Sequence, residues 1–424
     1  MIRFIINGLL RDHHRSLFPI IIVSIGVWIT VFMQAYLTGV LGDMVDTTAR
    51  FSTGHVKIMS RAFAENKDQI PNDLALMGVE QIMADMQSEY PEMTWVKRIS
   101  FGGLLDIPNS DGETRSQAPV MGIGIDLLSP GSTEIHTMNV TKSVVRGRMP
   151  SKPGEILISD LLAEKLDVNL GDAATLLSST MYGSMTMHNF IIVGTIKFGI
   201  MAMDRGAIIL DVNDVQLALN MEDAAGGILG YLPNRIYDDN TAREIVERFN
   251  QKYENVDDEF APVMGKLVEL SSLGDYLNYA GSVTGIMVLI FVVIMSIVLW
   301  NAGLLGGLRR YGEVGIRLAI GEPKGHIYRS LIYESIFIGL VGSVIGTGLG
   351  LGCAYWLQVK GLDISAFMKS SNMMMPNIFR AAITEETYYI GFYPGLFSTV
   401  LGTMLSGVGI YKRQTAQLFK ELEV

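Results

Sequence analysis

Residues 276–308 read YLNYAGSVTGIMVLIFVVIMSIVLWNAGLLGGL, 33 positions without a charged side chain between Asp275 and Arg309. A helix crossing the hydrocarbon core of a bilayer needs about 20 apolar residues, because every backbone polar group must be bonded inside the segment. Three more stretches are equally free of charge: 25 residues from Leu17 to Leu41, 25 at 335–359 and 25 at 387–411. The reading is four transmembrane helices, at 17–41, 280–308, 327–358 and 388–411. The first is far longer than the ~7–15 residues of a signal-peptide core, and no small-x-small cleavage site follows at Gln34–Gly39, so an uncleaved anchor is expected.

Composition agrees. Of 424 residues, 49% are hydrophobic and 45 more are glycine. Together they approach about 60%, against ~45–50% in soluble domains, and charged residues are correspondingly sparse. This excludes a disordered chain and argues against a wholly soluble enzyme. The single cysteine, Cys353, excludes an intrachain disulfide framework. The net charge of −10 argues against nucleic-acid binding.

Lysine and arginine set the orientation. Segments 1–16, 302–329 and 412–424 together hold 11 basic and 5 acidic residues, whereas 42–279 holds 19 basic and 34 acidic. The cytoplasmic N-terminus 1–16, the loop 309–326 and the tail 412–424 are therefore expected inside, and 42–279 and the loop 359–387 outside. The fold class expected is an α-helical membrane protein with four transmembrane helices plus a large α+β periplasmic domain between helices 1 and 2.

The segment 42–279 carries the marks of a folded domain. Strands are expected at Trp95–Ile107, Arg115–Ile125, Glu155–Ile158, Ala173–Ser178, Asn189–Lys197 and Ala207–Leu210, with turns at Asp111-Gly112 and Gly171-Asp172. Asp73 is expected to cap a helix ending before Pro91, and Ser159 a helix at Asp160–Leu166. Further helices are expected at Asn213–Asn220 and Thr241–Tyr253. A β-rich subdomain at 126–230 is expected to be inserted into the rest. Within it, Met181, Tyr182 and Met185, with Met187 nearby, are candidates for contact with an external partner, since methionine adapts to irregular apolar surfaces. Ordinary hairpin packing is the alternative.

The loop after the second span has its own logic. Glu313 and Arg317 stand four apart in the favourable order for a helical ion pair, Gly315 and Ala319 leave a smooth face, and Gly321 with Pro323 can end the helix. A short helix separate from the spans is expected there. The alternative is a basic solvated loop.

The stretch from Arg310 to Gly350 resembles the membrane module of the MacB/Lol/FtsX superfamily of ABC-transporter permeases. The resemblance is carried by Arg310, Glu313, Gly315, Ala319, Gly321, Glu334-Ser335, Gly342, Gly346 and Gly350. The stretches Arg146–Pro150, Pro153–Glu155 and Val193-Gly194 are similar to the family's external domain, and the order of one helix, external domain and three helices also matches. The tail Gln414–Val424 departs from the family's proline-containing ending, and the Ser178–Asn189 hairpin is short and lacks the proline of one Lol permease type.

The resemblance implies a bacterial inner-membrane location and a role in extracting or releasing lipoproteins. A MacB-like exporter of peptides or drugs and an FtsX-like scaffold regulating a cell-wall hydrolase are the alternatives. It implies that Arg310, Glu313, Gly315, Arg317, Ala319 and Gly321 dock in a separate ABC ATPase, which would hold ATP and Mg. A second permease chain, membrane lipids, a lipoprotein and a periplasmic carrier are the other partners implied. No G-x-x-x-x-G-K-[ST] phosphate loop occurs in the chain, so no cofactor is expected in it.

Two sets of intramembrane residues stand out. Gly342, Gly346, Gly350 and Gly402 permit close helix approach and are read as packing between the third and fourth helices. Trp28, Met33 and Tyr36 of the first helix, with Met287, Phe291 and Met295 of the second, are candidates to line a substrate cavity between those helices. Lipid-facing side chains are the alternative. The six histidines show no metal-ligand spacing, and neither metal chemistry nor catalysis is expected of this chain.

Overall fold

The computed structural model describes residues 13–109, 111–271, 273–363, 374 and 378–412. The expected cytoplasmic ends 1–12 and 413–424, and much of the expected 359–387 loop, lie outside these residues. The chain divides into two compact units: Met1–Gly42, Tyr276–Leu362 and Phe379–Val424 form one, Asp43–Asp275 and Asp363–Ile378 the other.

The second unit is α+β. Its strands are β1 Val56–Ser60, β2 Leu76–Met77, β3 Thr94–Pro108, β4 Thr114–Ile125, β5 Val144–Gly147, β6 Glu155–Ser159, β7 Ala173–Ser179, β8 Met185–Ile196, β9 Ala207–Asp211, β10 Ala224–Ala225, β11 Gly227–Tyr231 and β12 Pro262–Lys266. The main sheet runs β12-β1-β11-β3-β4-β9-β6-β8-β5, and β7 bridges β3 and β8. Six strands, β3-β4-β9-β6-β8-β7, thereby close on themselves as a ring. Closure leaves those strands without free edges.

Alternation decides which side chains fill this unit. Ile99, Phe101, Leu105 and Ile107 of β3 join Ile156, Ile158, Phe190, Ile192, Ile208 and Leu210 in one core, while Ile123, Leu157 and Ile209 belong to another. Phe101 is paired with Gly122 across β3 and β4, and its ring occupies the space a Cβ at Gly122 would need. The expected boundary at 126 falls inside this architecture: β3 and β4 pair with β7 and β9, so 126–230 is not a separate insertion.

Most expected strands and helices are present. The hairpin turn has Gly112 at φ +82°, and Asn109 Oδ1 accepts from the N–H groups of Asp111 and Glu113. Ser159 Oγ accepts from Leu162 N–H at the start of the helix Asp160–Leu166. Asp73 does not cap the first helix. It lies in a single 3₁₀ turn, and the helix spans Val79–Glu89 behind Gly78 at φ +67°. Its first N–H groups are met by Asp223, whose carbonyl accepts from Val79 and whose carboxylate accepts from Glu80. A cap supplied from another part of the chain leaves no mark in local spacing.

The first unit is helical. Its long helices are α1 His13–Thr48, α2 Leu273–Ala319, α3 Lys324–Lys360 and α4 Phe392–Lys412, with the ends of α1 and α2 numbered in the second unit. Three stretches among the described residues are long and apolar enough to cross a membrane: Ser16–Thr53, Leu273–Ala302 and Lys324–Lys360. The fourth expected span corresponds to α4, which is helical over 21 residues. At 1.5 Å per residue α1 is about 54 Å long and α2 about 70 Å, well beyond a ~30 Å hydrocarbon core.

Glycine sets how these helices meet, though not between the partners expected. Gly342, Gly346 and Gly350 of α3 lie against Val23, Val27 and Val31 of α1. A Cβ on any of the three would fall 2.7 Å from the facing valine. Both rows repeat every four residues, so one small-residue face meets one β-branched face. Gly402 of α4 packs on Leu299 and Trp300 of α2, not on α3. The close contact of α3 with α4 comes instead through Gly339 and Gly395, which face Thr399 and Ser343.

Candidate functional site

The elbow between α2 and α3 is four residues long, Ile320 to Pro323. Gly321 takes φ +96°; its N–H bonds to Leu318 O at 3.1 Å, and Glu322 N–H bonds to Arg317 O at 3.0 Å. This pair of bonds closes the helix end and needs a residue without a Cβ penalty at positive φ. Pro323 then caps α3. The separate short helix expected over this region does not form: α2 runs unbroken to Ala319, carrying Arg310, Glu313 and Gly315 in its last turns. The side chains of those three lie outside the described ones.

An ion pair closes the elbow. Arg317 Nε and Nη2 donate to Glu322 at 2.6 and 2.8 Å; the Glu313 side chain, expected to pair with Arg317, lies outside the described ones. The helix end brings Arg317 and Glu322 together, and a guanidinium meets a carboxylate best with two parallel bonds. His326 Nδ1 lies 2.5 Å from Oε1 of that carboxylate, the oxygen that also accepts from Arg317 Nη2. Arg317 first, and His326 second, hold Glu322 down at about 2. Beside this charged lock, Ala319 is exposed, and Ile316 and Ile320 are 58% and 81% exposed. The two isoleucines were not among the candidates. Their i, i+4 spacing near Gly321 was the available signal.

The six cavity candidates separate. Met295 is buried, its sulfur in the space beside Gly26 of α1, so it packs the bundle and lines no opening. Tyr36 packs beside Ala35, Ala354, Leu357 and Ala381. Met287 and Phe291 are half-buried, and Trp28 and Met33 are each 36% exposed. The openly exposed face of α2 is instead made by Ile286, Leu289, Ile290, Val293, Ile294 and Ile297.

The β7–β8 hairpin is tighter than expected. Its turn is Thr180–Ser184, with Gly183 at φ +78°. Met181 is a core residue, and its N–H bonds to Leu219 O. Tyr182, Met185 and Met187 are 71%, 78% and 66% exposed, forming an apolar tip.

The Arg146–Glu155 stretch is a rigid loop. Arg148 Nη1 and Nη2 reach the buried Glu155 carboxylate at 2.7 and 2.6 Å, and Ser151 N–H adds a third bond. Gly147, at φ +83°, lies against the backbone of Val193 and Gly194, where a side chain has no room. Arg148 holds the Glu155 carboxyl at about 2, below its usual 4.5, against the opposing effect of burial. A depressed carboxyl stabilises the fold above its unfolded value and loses that contribution as pH falls toward the folded value. Glu155→Gln is expected to cost about 2 kcal/mol at pH 7. In thermal melts the gap to the wild type should close between pH 4.5 and 2. A gap that stays constant with pH would remove the charge from the explanation.

Among the described residues no group of histidine, cysteine, aspartate or glutamate is arranged to hold a metal ion.

Residues 285–415 match the FtsX-like permease C-terminal family. That range takes in most of α2, the elbow, α3 and α4. The chain carries an FtsX-like permease C-terminal module. This permease is similar to the lipoprotein-releasing system transmembrane protein LolC of Xylella fastidiosa, 25% identical over 202 residues that cover 46% of this chain and 47% of that one. It is similar to an uncharacterized ABC transporter permease of Bacillus subtilis, YknZ, at 24% over 169 residues, 37% of this chain and 40% of that one. A macrolide export ATP-binding/permease protein MacB of Neisseria gonorrhoeae is 35% identical over 82 residues, 18% of this chain and 13% of that one. The aligned part spans about half the length of LolC and less of the other two. A solved structure, the periplasmic region of MacB from Actinobacillus actinomycetemcomitans, aligns over 50% of this permease and 88% of that chain, with TM-score 0.33 and 11% identity.

Proposed function

We propose that this permease is one half of a membrane complex driven by a separate ABC ATPase. In this reading it carries out lipoprotein release from the bacterial inner membrane, the activity named in its LolC relative. In the same reading the chain has four spans, both termini and the elbow are cytoplasmic, and the α+β unit is periplasmic. The elbow is the docking point, with Arg310, Glu313, Gly315, Arg317, Ala319 and Gly321 joined by Ile316 and Ile320. The observation that carries this is the elbow itself: a helix end locked by Arg317, Glu322 and His326, with two exposed isoleucines beside it. Apolar side chains exposed on a rigid turn are suited to burial in a partner's groove.

A second permease chain completes the assembly. A large external domain on few spans favours work on cargo from the outer leaflet, with the exposed Tyr182, Met185 and Met187 tip meeting a carrier. Phe291, half-buried on α2 where Met287 neighbours it, is the test of cargo loading. Phe291→Asp should lower release of a lipoprotein from proteoliposomes by at least about tenfold, because a carboxylate near the bilayer centre costs some 2.5–3.5 kcal/mol. Normal release by that variant would remove α2 from the cargo path. Export of a macrolide with no lipoprotein release would move the reading to the MacB type.

A further inference from the structure

We propose that Arg98 and Glu134 are positioning residues: a buried latch that passes movement of α1 into the closed β ring. The inference rests on the permease reading and adds to it the route by which the first helix acts on the external unit.

The exit of α1 is unusual. After Thr48 the chain continues as a π-helical turn, Ala49–Thr53, closed by a bond from Gly54 N–H to Ala49 O at 2.9 Å. Turns of this kind are rare and concentrate at functional sites, because they cost backbone geometry that a plain helix would not. Two side chains hold this one. Arg98 Nη1 donates to Arg50 O at 2.5 Å, and Tyr231 Oη donates to Ala49 O at 3.2 Å.

Arg98 also stands where the sheet changes partners. Residues 94–98 of β3 pair with β11, and pairing with β4 begins at Ile99. From that joint its guanidinium makes the bidentate pair with Glu134, Nη2 lying 2.8 and 2.9 Å from the two oxygens. Glu134 opens the short helix Glu134–Thr137, whose neighbours Ile135, Met138 and Val140 pack into the second core under β4, β6 and β9. One guanidinium thus ties three parts together: the end of α1, the joint of the sheet and the ring side of the unit.

Stability alone does not account for such a group. Arg98 is 4% exposed and Glu134 is fully buried. Removing two charges from water costs several kcal/mol each, and replacing a buried ion pair by apolar residues of equal volume is often neutral or stabilising. The best-attested use of such pairs is to fix register or serve a switch. Here the register fixed is that of the π-helical turn Ala49–Thr53 against the ring.

The test uses the full chain with its co-purifying ATPase in lipid nanodiscs. Cys353 is replaced by serine, and spin labels are placed at the exposed positions Met44, on α1, and Met187, on β8. Distances are measured by pulsed spin-label spectroscopy without nucleotide and with ATP plus vanadate. The wild type should change its Met44–Met187 distance with nucleotide. The double variant Arg98→Met/Glu134→Leu should keep its melting temperature and ATP hydrolysis while the nucleotide-driven shift weakens about tenfold, inside the usual 5–150-fold range of coupling between sites. A full shift in the double variant overturns the latch and leaves the permease reading standing. A wild type that does not move with nucleotide, its ATPase bound and active, also overturns the latch, since no movement then reaches the ring. If the double variant does not fold, Tyr231→Phe removes the second donor on Ala49 without stranding a charge. It should weaken the shift, and a wild-type shift would count against the latch.

Discussion

Replacing Gly346 by leucine is expected to pull α1 away from α3 and lower the melting temperature of the detergent-extracted protein by roughly 2–12 °C. A Cβ at Gly346 would lie 2.6 Å from Ser24 O and 2.7 Å from Val27 Cβ, so the new side chain has no direction in which to relax. Overpacking of this kind costs about 1–3 kcal/mol, and each kcal/mol shifts a domain of this size by about 2–4 °C. Gly348, two residues on along the same helix, has nothing within 4 Å of its Cβ position. Gly348→Leu should therefore melt like the wild type. The pair separates packing from helix propensity, which is the same at both sites. Equal behaviour of the two variants would mean that the valine row of α1 does not seat on the glycine row of α3.

The second large effect is expected at Ile320. It is 81% exposed, so Ile320→Asp should leave the folding of the chain unchanged. If the elbow seats in the ATPase, the substitution places a carboxylate in an apolar groove and should weaken binding by at least about 2 kcal/mol, roughly thirtyfold in Kd. Titration of purified ATPase onto the permease in nanodiscs reads this directly. Glu322→Gln provides the complementary variant, since it loosens Arg317 and His326 without adding charge near the isoleucines. It should lower stimulated hydrolysis more than it lowers binding. Unchanged binding by Ile320→Asp would place the docking surface elsewhere.

Much of the architecture was legible because its causes are local. Uncharged runs mark α1, α2 and α3, and Gly112 and Gly171 mark the turns that need positive φ. The period-2 alternation of β3 was visible from Trp95 to Ile107. What escaped has non-local causes. The boundary at 126 failed because ring closure joins β3 to β7 across 70 residues, a pairing that no window of sequence contains. Asp73 failed as a cap because Asp223 performs the task.

The site was legible in part. Gly321 and Pro323 located the elbow, and the glycine spacing of α3 located a close contact. The partners of those groups were not legible. A glycine row shows that something approaches, and only the facing Val23, Val27 and Val31 show that it is α1. Glu322 lies five residues beyond Arg317, outside helical reach, and the tight turn at Gly321 brings it there. The Arg98–Glu134 pair, 36 residues apart, left no pattern at all.

On this reading a nucleotide-hydrolysing partner grips the permease at its elbow. The most direct measurement is affinity purification of the full chain in mild detergent, with identification of bound proteins and assay of ATP hydrolysis. An ABC ATPase should be recovered in stable ratio with the chain and be lost from the Ile320→Asp preparation. A chain recovered with no ATP-hydrolysing protein, from membranes in which it is fully folded, would contradict it.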